Sequence, residues 1–308
     1  MRKGLIGWLW MVAGCLAAVA QVPETYVYAL RDTHELRLDV YRPSTPRADR
    51  ACAIYVFGGG FVVGQRNDSA SVAACRRLAE KGFTAISIDY RLGIKGVDFD
   101  TVGLLHLSTP FRRAIEMATE DVCEAVSYVC RHAQHLGIDR TKIVLTGSSA
   151  GAIAVLQADY CRANGMKQAA ALPADFVPMA VIPYAGGVYC RNWRPKYKTP
   201  PAPTCFFHGT TDRIVNYKHF RANLKERLNG ANTVVKVFKK NKYPYWILRF
   251  TDRGHEVAGY LPYTIEEFCC YVDQVSAGRI TYYDASCEDK ARGTTIWTKM
   301  GLVKLYLH

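Results

Sequence analysis

Gly147-Ser148-Ser149-Ala150-Gly151 stands between the apolar run Ile143-Val144-Leu145 and a helix-forming stretch. A serine delivered on so tight a strand-to-helix turn is forced into strained backbone angles, which is why small residues must flank it two positions on either side. Ser149 is the candidate nucleophile. A serine hydroxyl is weakly nucleophilic near neutrality, so it needs a base, and the base needs an acid to orient it. Asp212 in His208-Gly209-Thr210-Thr211-Asp212 and His255 in Asp252-Arg253-Gly254-His255-Glu256 follow in chain order, each just after a strand-like run. Asp252 is the other acid within reach, but it lies three residues from His255 on one loop, where reaching the far ring nitrogen is awkward. Gly58-Gly59-Gly60 follows the apolar run 51–57. Glycines there let backbone N–H groups approach a carbonyl oxygen without side-chain clash, so the N–H groups of Gly59, Gly60 and Ala150 are the candidate oxyanion donors. Together these residues would perform two-step acyl transfer, with no metal and no organic cofactor.

The elements that must position them alternate between strand-like and helix-like patterns, which predicts a mostly parallel central sheet with helices on both faces. Strands are expected over 24–30, 35–41, 51–57, 83–90, 142–146, 176–183, 204–207 and 245–250. Helices are expected over 70–81 and 119–134, with another from Ser149. The stretches 92–116 and 186–203 read as long and irregular and follow strand ends. Ligands bind at the carboxyl ends of a parallel sheet, so these two stretches are expected to wall a pocket.

The chain has 308 residues, of which 49% are apolar, 22% charged and 12% aromatic. That excludes disordered, collagenous and disulfide-scaffold chains and suits one large α/β domain. Residues 1–20 read as an export signal: Arg2 and Lys3, an apolar middle, then Ala18-Val19-Ala20 before Gln21. The expected division is therefore a signal over 1–20 and one domain over 21–308, with its core at about 35–275 and an extension at 276–308. Cys15 in Val12-Ala13-Gly14-Cys15 offers lipid anchoring as the lesser alternative to plain cleavage. No stretch after residue 20 approaches the roughly 20 apolar residues that span a bilayer. The net charge is +13, and the segment 191–242 alone holds thirteen Lys and Arg against two acids. That surplus reads as a solvated helical face before it reads as a face for an acidic polymer, and no nucleic-acid partner is expected. Of eleven cysteines, Cys52, Cys123, Cys130 and Cys205 fall in apolar patterns, while one or two bridges are expected among Cys75, Cys161, Cys190, Cys269, Cys270 and Cys287.

The string Ile54-Tyr55-Val56-Phe57-Gly58-Gly59-Gly60-Phe61-Val62-Val63-Gly64 is similar to the HGGGF loop of the hormone-sensitive-lipase-like carboxylesterases, within the α/β-hydrolase superfamily. Asp89-Tyr90-Arg91-Leu92 resembles their DYRL motif, and Leu136-Gly137-Ile138-Asp139 running to Gly151 resembles their approach to the nucleophile. The likeness covers about residues 35–275. Phe57 departs from it, standing where the family opens the loop with a histidine that supports it by hydrogen bonding. The resemblance implies an α/β-hydrolase fold and serine ester hydrolysis with Ser149, Asp212 and His255. It points toward exported bacterial esterases of the acetyl or feruloyl type, periplasmic or secreted.

Tyr184, Tyr189, Trp193 and Tyr197 in one stretch, and Tyr243, Tyr245, Trp246, Tyr260 and Tyr263 near His255, would stack on sugar rings or a cinnamoyl group, or simply pack the core. The expected partner is a small-molecule or carbohydrate ester. A prolyl-oligopeptidase-type serine peptidase shares the three residues but would carry a preceding propeller domain. A binding protein with this fold and no catalysis would usually have lost one of them.

Overall fold

The structure, a computed structural model, describes residues 22–31, 34–98, 108–221, 223, 225–279 and 281–289. The expected export segment, Cys15 and most of the extension lie outside these residues. Strands β1 (Glu24–Arg31) and β2 (His34–Tyr41) form an antiparallel hairpin. Then follow β3 (Cys52–Val56), α1 (Ser69–Glu80), β4 (Thr84–Ile88), α2 (Ser108–Arg131), α3 (Ala133–Leu136), β5 (Ile143–Ser148), α4 (Ala150–Asn164), β6 (Ala180–Tyr184) and β7 (Gly187–Cys190). The described chain continues with β8 (Thr204–Gly209), β9 (His219–Arg221), β10 (Arg227–Gly230), α5 (Ala231–Asn241), β11 (Tyr245–Phe250), α6 (Ile265–Ser276) and β12 (Tyr282–Cys287).

Nine strands make one sheet in the order β1-β2-β4-β3-β5-β6-β8-β11-β12. Every pairing from β4 onward is parallel, and only β1 with β2 and β2 with β4 run antiparallel. Strands β3, β4, β6 and β8 are buried at every residue, as expected where helices cover both faces of a parallel sheet. On one face α1 and α6 are joined by the Lys81–Glu266 ion pair and by Phe83 packing edge-on against Phe268. On the other, α2 and α4 pack together. This is the α/β-hydrolase fold.

Local chemistry explains the helix boundaries. The Asp68 carboxylate caps α1 by accepting from the Ser71 N–H at 2.7 Å, satisfying one of the donors that a helix start leaves open. Helix α2 begins at Ser108 and not at 119 as the pattern predicts, because Pro110 sits in its first turn, where a missing N–H costs nothing. Helix α4 is buried nearly all round, and Ala150, Gly151, Ala152, Ala154 and Ala158 give it the slim profile needed between the sheet and α2.

Three further differences stand out. The stretch 186–203 contains β7, which pairs with β10 and through it with β9 in a small separate antiparallel sheet. Within the extension, the strand β12 adds to the sheet edge parallel to β11. All ten described cysteines are free, so the expected bridges do not form; seven of the ten are buried as small apolar groups.

Candidate active site

Ser149 sits at the junction of β5 and α4 with φ 51° and ψ −113°, a conformation that side-chain-bearing residues seldom adopt. The chain tolerates it because both flanks lack bulk. A Cβ on Gly151 would lie 2.0 Å from the Val56 carbonyl oxygen, and one on Gly147 would lie 2.7 Å from the Gly151 backbone. The Ser149 N–H donates to the Tyr184 carbonyl at 2.9 Å, tying the turn to β6.

The three distant side chains converge. The Ser149 hydroxyl donates to His255 Nε2 at 2.8 Å, and His255 Nδ1–H donates to Asp212 Oδ2 at 2.8 Å. Asp212 follows β8 and His255 follows β11, adjacent parallel strands whose loops are knitted together: the Thr211 N–H and hydroxyl both donate to the Arg253 carbonyl. Gly209 permits that crossing, since a Cβ there would meet the Arg253 and Gly254 carbonyls at 2.3 Å. Asp252, the rival acid, is exposed, and its N–H is held by the Thr210 hydroxyl.

The Asp212 side chain is fully buried yet well supplied with donors. Oδ1 accepts from the Ile214 and Val215 N–H groups at 2.8 and 3.1 Å, and His208 Nε2 lies 3.5 Å from Oδ2. Burial opposes its ionisation, but the hydrogen bonds from His208 and His255 outweigh burial and hold the carboxyl well below the usual carboxylate range. His208 Nε2 faces both the Val215 carbonyl, at 2.8 Å, and this carboxylate; two acceptors on one nitrogen require that it carry the proton. No motif singles out His208, although it stands four residues before Asp212 at the same strand end.

Gly58 lies against the nucleophile turn, where a Cβ would meet the Ser148 carbonyl oxygen at 3.2 Å and Ser149 Cβ at 3.3 Å. Gly59 and Gly60 have φ of 109° and 65°, and their N–H groups donate to no other backbone group among the described residues. The Ala150 N–H belongs to the first turn of α4, which has no intrahelical acceptor. Phe57, in place of histidine, stacks on Tyr90. The Tyr90 hydroxyl donates toward the carbonyls of Phe57 and Gly58 at 3.1 and 3.3 Å, a support that the motif comparison did not reveal.

The two expected pocket walls meet in one cavity among the described residues. Arg112 and Glu116 of α2 and residues Tyr189, Cys190, Arg191 and Asn192 line a cavity of about 320 Å³ together with Gln157 of α4, and Ser149 and His255 are not among its lining. Most of the expected aromatic wall is core: Tyr184 stacks on Phe207, Tyr197 packs against Tyr160 and Tyr243, and Tyr245 and Tyr260 are buried. Of the nine, only Trp193 and Tyr263 are exposed. No helix among the described residues is long and apolar enough to cross a membrane, and no three His, Cys, Asp or Glu side chains among them converge as metal ligands.

An α/β-hydrolase fold with a serine, a histidine and an aspartate in hydrogen-bonded series at the carboxyl edge of its sheet is the class of molecule that fold and site define. Comparison with known proteins agrees. The Carboxylesterase family model matches residues 13–160. Esterase 2 of Thermogutta terrifontis superposes with a TM-score of 0.57 over 85% of this chain and 97% of that chain at 21% identity, a likeness of fold. The protein named Probable isoprenylcysteine alpha-carbonyl methylesterase ICME of Oryza sativa subsp. japonica is 31% identical over 132 residues, 43% of this chain and 27% of its own. Ethyl acetate hydrolase of Pseudomonas putida is 30% identical over 124 residues, 39% of this chain and 33% of its own. The matches thus span about a quarter to a third of the curated relatives' length.

Proposed function

We propose that this protein is a serine carboxylic ester hydrolase acting through an acyl-enzyme on short acyl esters. The observation that carries the reading is the unbroken series Ser149 Oγ, His255 Nε2, His255 Nδ1 and Asp212 Oδ2, with 2.8 Å at both hydrogen bonds. Similarity to the carboxylesterase model and to an ethyl acetate hydrolase supports ester hydrolysis and a small acyl group. The hormone-sensitive-lipase-like subtype, and acetyl or feruloyl groups carried on carbohydrate, are the finer form of the same proposal.

In this mechanism His255 Nε2 accepts the Ser149 proton as Oγ attacks the ester carbonyl. The Gly59, Gly60 and Ala150 N–H groups hold the oxygen that becomes negative. His255 then returns the proton to the departing alcohol. Water gives a proton to His255 as it attacks the acyl-enzyme, and His255 passes that proton to Ser149 Oγ as its bond to the acyl carbon breaks and the acid leaves. Buried and ionised, Asp212 fixes the tautomer that leaves Nε2 bare and stabilises the imidazolium formed at each attack.

Replacement of Ser149 by Ala tests the reading directly. Its kcat on p-nitrophenyl acetate is expected to fall by a factor on the order of 10⁴ to 10⁶; an unchanged rate overturns the assignment.

A further inference from the structure

A second feature lies far from this chemistry. Residues Asn192 to Tyr197 and the last turns of α5 enclose an open groove of about 670 Å³, within the size range of about 300–1,000 Å³ typical of ligand clefts. Its lining contains Arg194, Lys196, Lys236 and Lys240 and no acidic residue. Tyr243 precedes β11 and His255 follows it, so the groove sits at the opposite end of a six-residue strand, about 20 Å from the imidazole.

The groove gathers cations without carboxylates among them. Elsewhere Arg31, Arg42, Arg47, Arg66, Arg91 and Arg162 each hold a carboxylate. The four groove cations form no ion pair among the described residues. Lys236 and Lys240 stand one helical turn apart, a like-charge spacing that weakens a helix. The C-terminal dipole of α5 favours Lys240 in the last turn but gives nothing to Lys236 a turn earlier. Behind the groove, Arg227 is only 4% exposed, without a carboxylate partner among the described residues, and lies 3.3 Å from the Trp193 ring centroid. Trp193 itself is 63% exposed.

We propose that this groove is a docking site for an anionic glycan, a chain of sugars bearing carboxylate or sulfate groups, which fills the cationic cleft while a sugar face stacks on Trp193. A concave lining that combines cations with an exposed aromatic ring suits a single chain and not a flat lipid surface. As a statement about substrate class, this deepens the esterase reading and rests on it: acyl esters carried on an acidic polymer would be held here while another part of the chain reaches Ser149.

Binding and turnover separate the two claims. The full-length protein with Ser149→Ala is titrated with oligogalacturonate, a heparin-derived oligosaccharide and neutral xylo-oligosaccharide, following tryptophan fluorescence and heat. One or both anionic chains are expected to bind, more weakly as salt rises, and the neutral chain is not. Which anionic chain binds tighter distinguishes carboxylate from sulfate. The combined variant R194Q/K196Q/K236Q/K240Q, whose four positions are exposed, is expected to lose about tenfold in affinity, and in the Ser149 background to turn over p-nitrophenyl acetate as the parent does. Equal binding of the neutral chain, no binding of either anionic one, an affinity unmoved by the four substitutions, or tighter binding to single-stranded DNA or phosphatidylserine vesicles each overturns the proposal. Failure of the parent to hydrolyse p-nitrophenyl acetate overturns the esterase reading alone.

Discussion

Tyr90 lies against Phe57 with ring centroids 4.4 Å apart, and its hydroxyl reaches the carbonyl oxygen of that same residue at 3.1 Å. The pair braces the start of the glycine loop from below, with Gly64 admitting the Phe57 ring at a spot where a Cβ would sit 2.6 Å from it. Tyr90→Phe keeps the stacking and removes the hydrogen bond. Stability should fall by about 1 kcal/mol in a urea titration, and kcat on p-nitrophenyl acetate about tenfold with KM nearly unchanged. Loss of stability with full kcat would leave Tyr90 a packing residue only.

Asp212→Asn should lower kcat by a factor on the order of 10³ to 10⁴, because the amide no longer fixes the His255 tautomer. The same variant reads an acid effect. The folded carboxyl titrates below its unfolded value of about 4, so its stabilisation is complete above that value and is lost as pH falls through the depressed folded value. The stability gap between parent and variant should therefore narrow between about pH 5 and pH 2. A constant gap would mean that Asp212 is not ionised in the folded protein.

Gly151→Ala places a methyl group 2.0 Å from the Val56 carbonyl oxygen and 2.5 Å from that of Phe57. Helix α4 would have to back away from β3, carrying Ser149 with it. We expect a loss of about 3 kcal/mol or more, measured by thermal melting, and little activity in the folded fraction. Wild-type melting would show that the turn has slack enough to take up those contacts.

Asp121 is wholly buried beneath the Arg91 guanidinium, accepting from its Nε at 2.9 Å and from the Arg91 backbone N–H at 2.8 Å. Asp121→Ala leaves Arg91 its pair with Glu120 but takes the acceptor from the Arg91 backbone N–H, and should cost about 2 kcal/mol. It touches none of the three reacting side chains, so kcat per folded molecule should stay within about twofold of the parent. A large kcat loss at unchanged melting temperature would contradict this.

The convergence of Ser149, Asp212 and His255 was legible because each sits in a short string whose types are forced by backbone geometry: glycines beside Ser149, and strand ends before Asp212 and His255. Fully apolar runs such as Cys52–Val56 marked the central strands for the same reason, burial on both faces. Strand β7 escaped because Gly187-Val188-Tyr189-Cys190 is too short to show a period, and β10 because its residues Arg227-Leu228-Asn229-Gly230 are mostly polar though buried. The start of α2 was hidden by Pro110, which as a letter breaks a helix and as a first-turn residue does not. His208 and Tyr90 were invisible as participants because what they do depends on which carbonyl or carboxylate the fold brings to them.

The small sheet of β7, β10 and β9 exchanges strand hydrogen bonds only within itself and takes no part in the large one whose strand ends carry Ser149, Asp212 and His255. Its exposed strand β9 can therefore be recharged without touching Ser149, Asp212 or His255, whereas β7 is tied to α4 through two Gln157 hydrogen bonds. That outer edge is the place to vary surface charge while the nine-stranded sheet stays as it is.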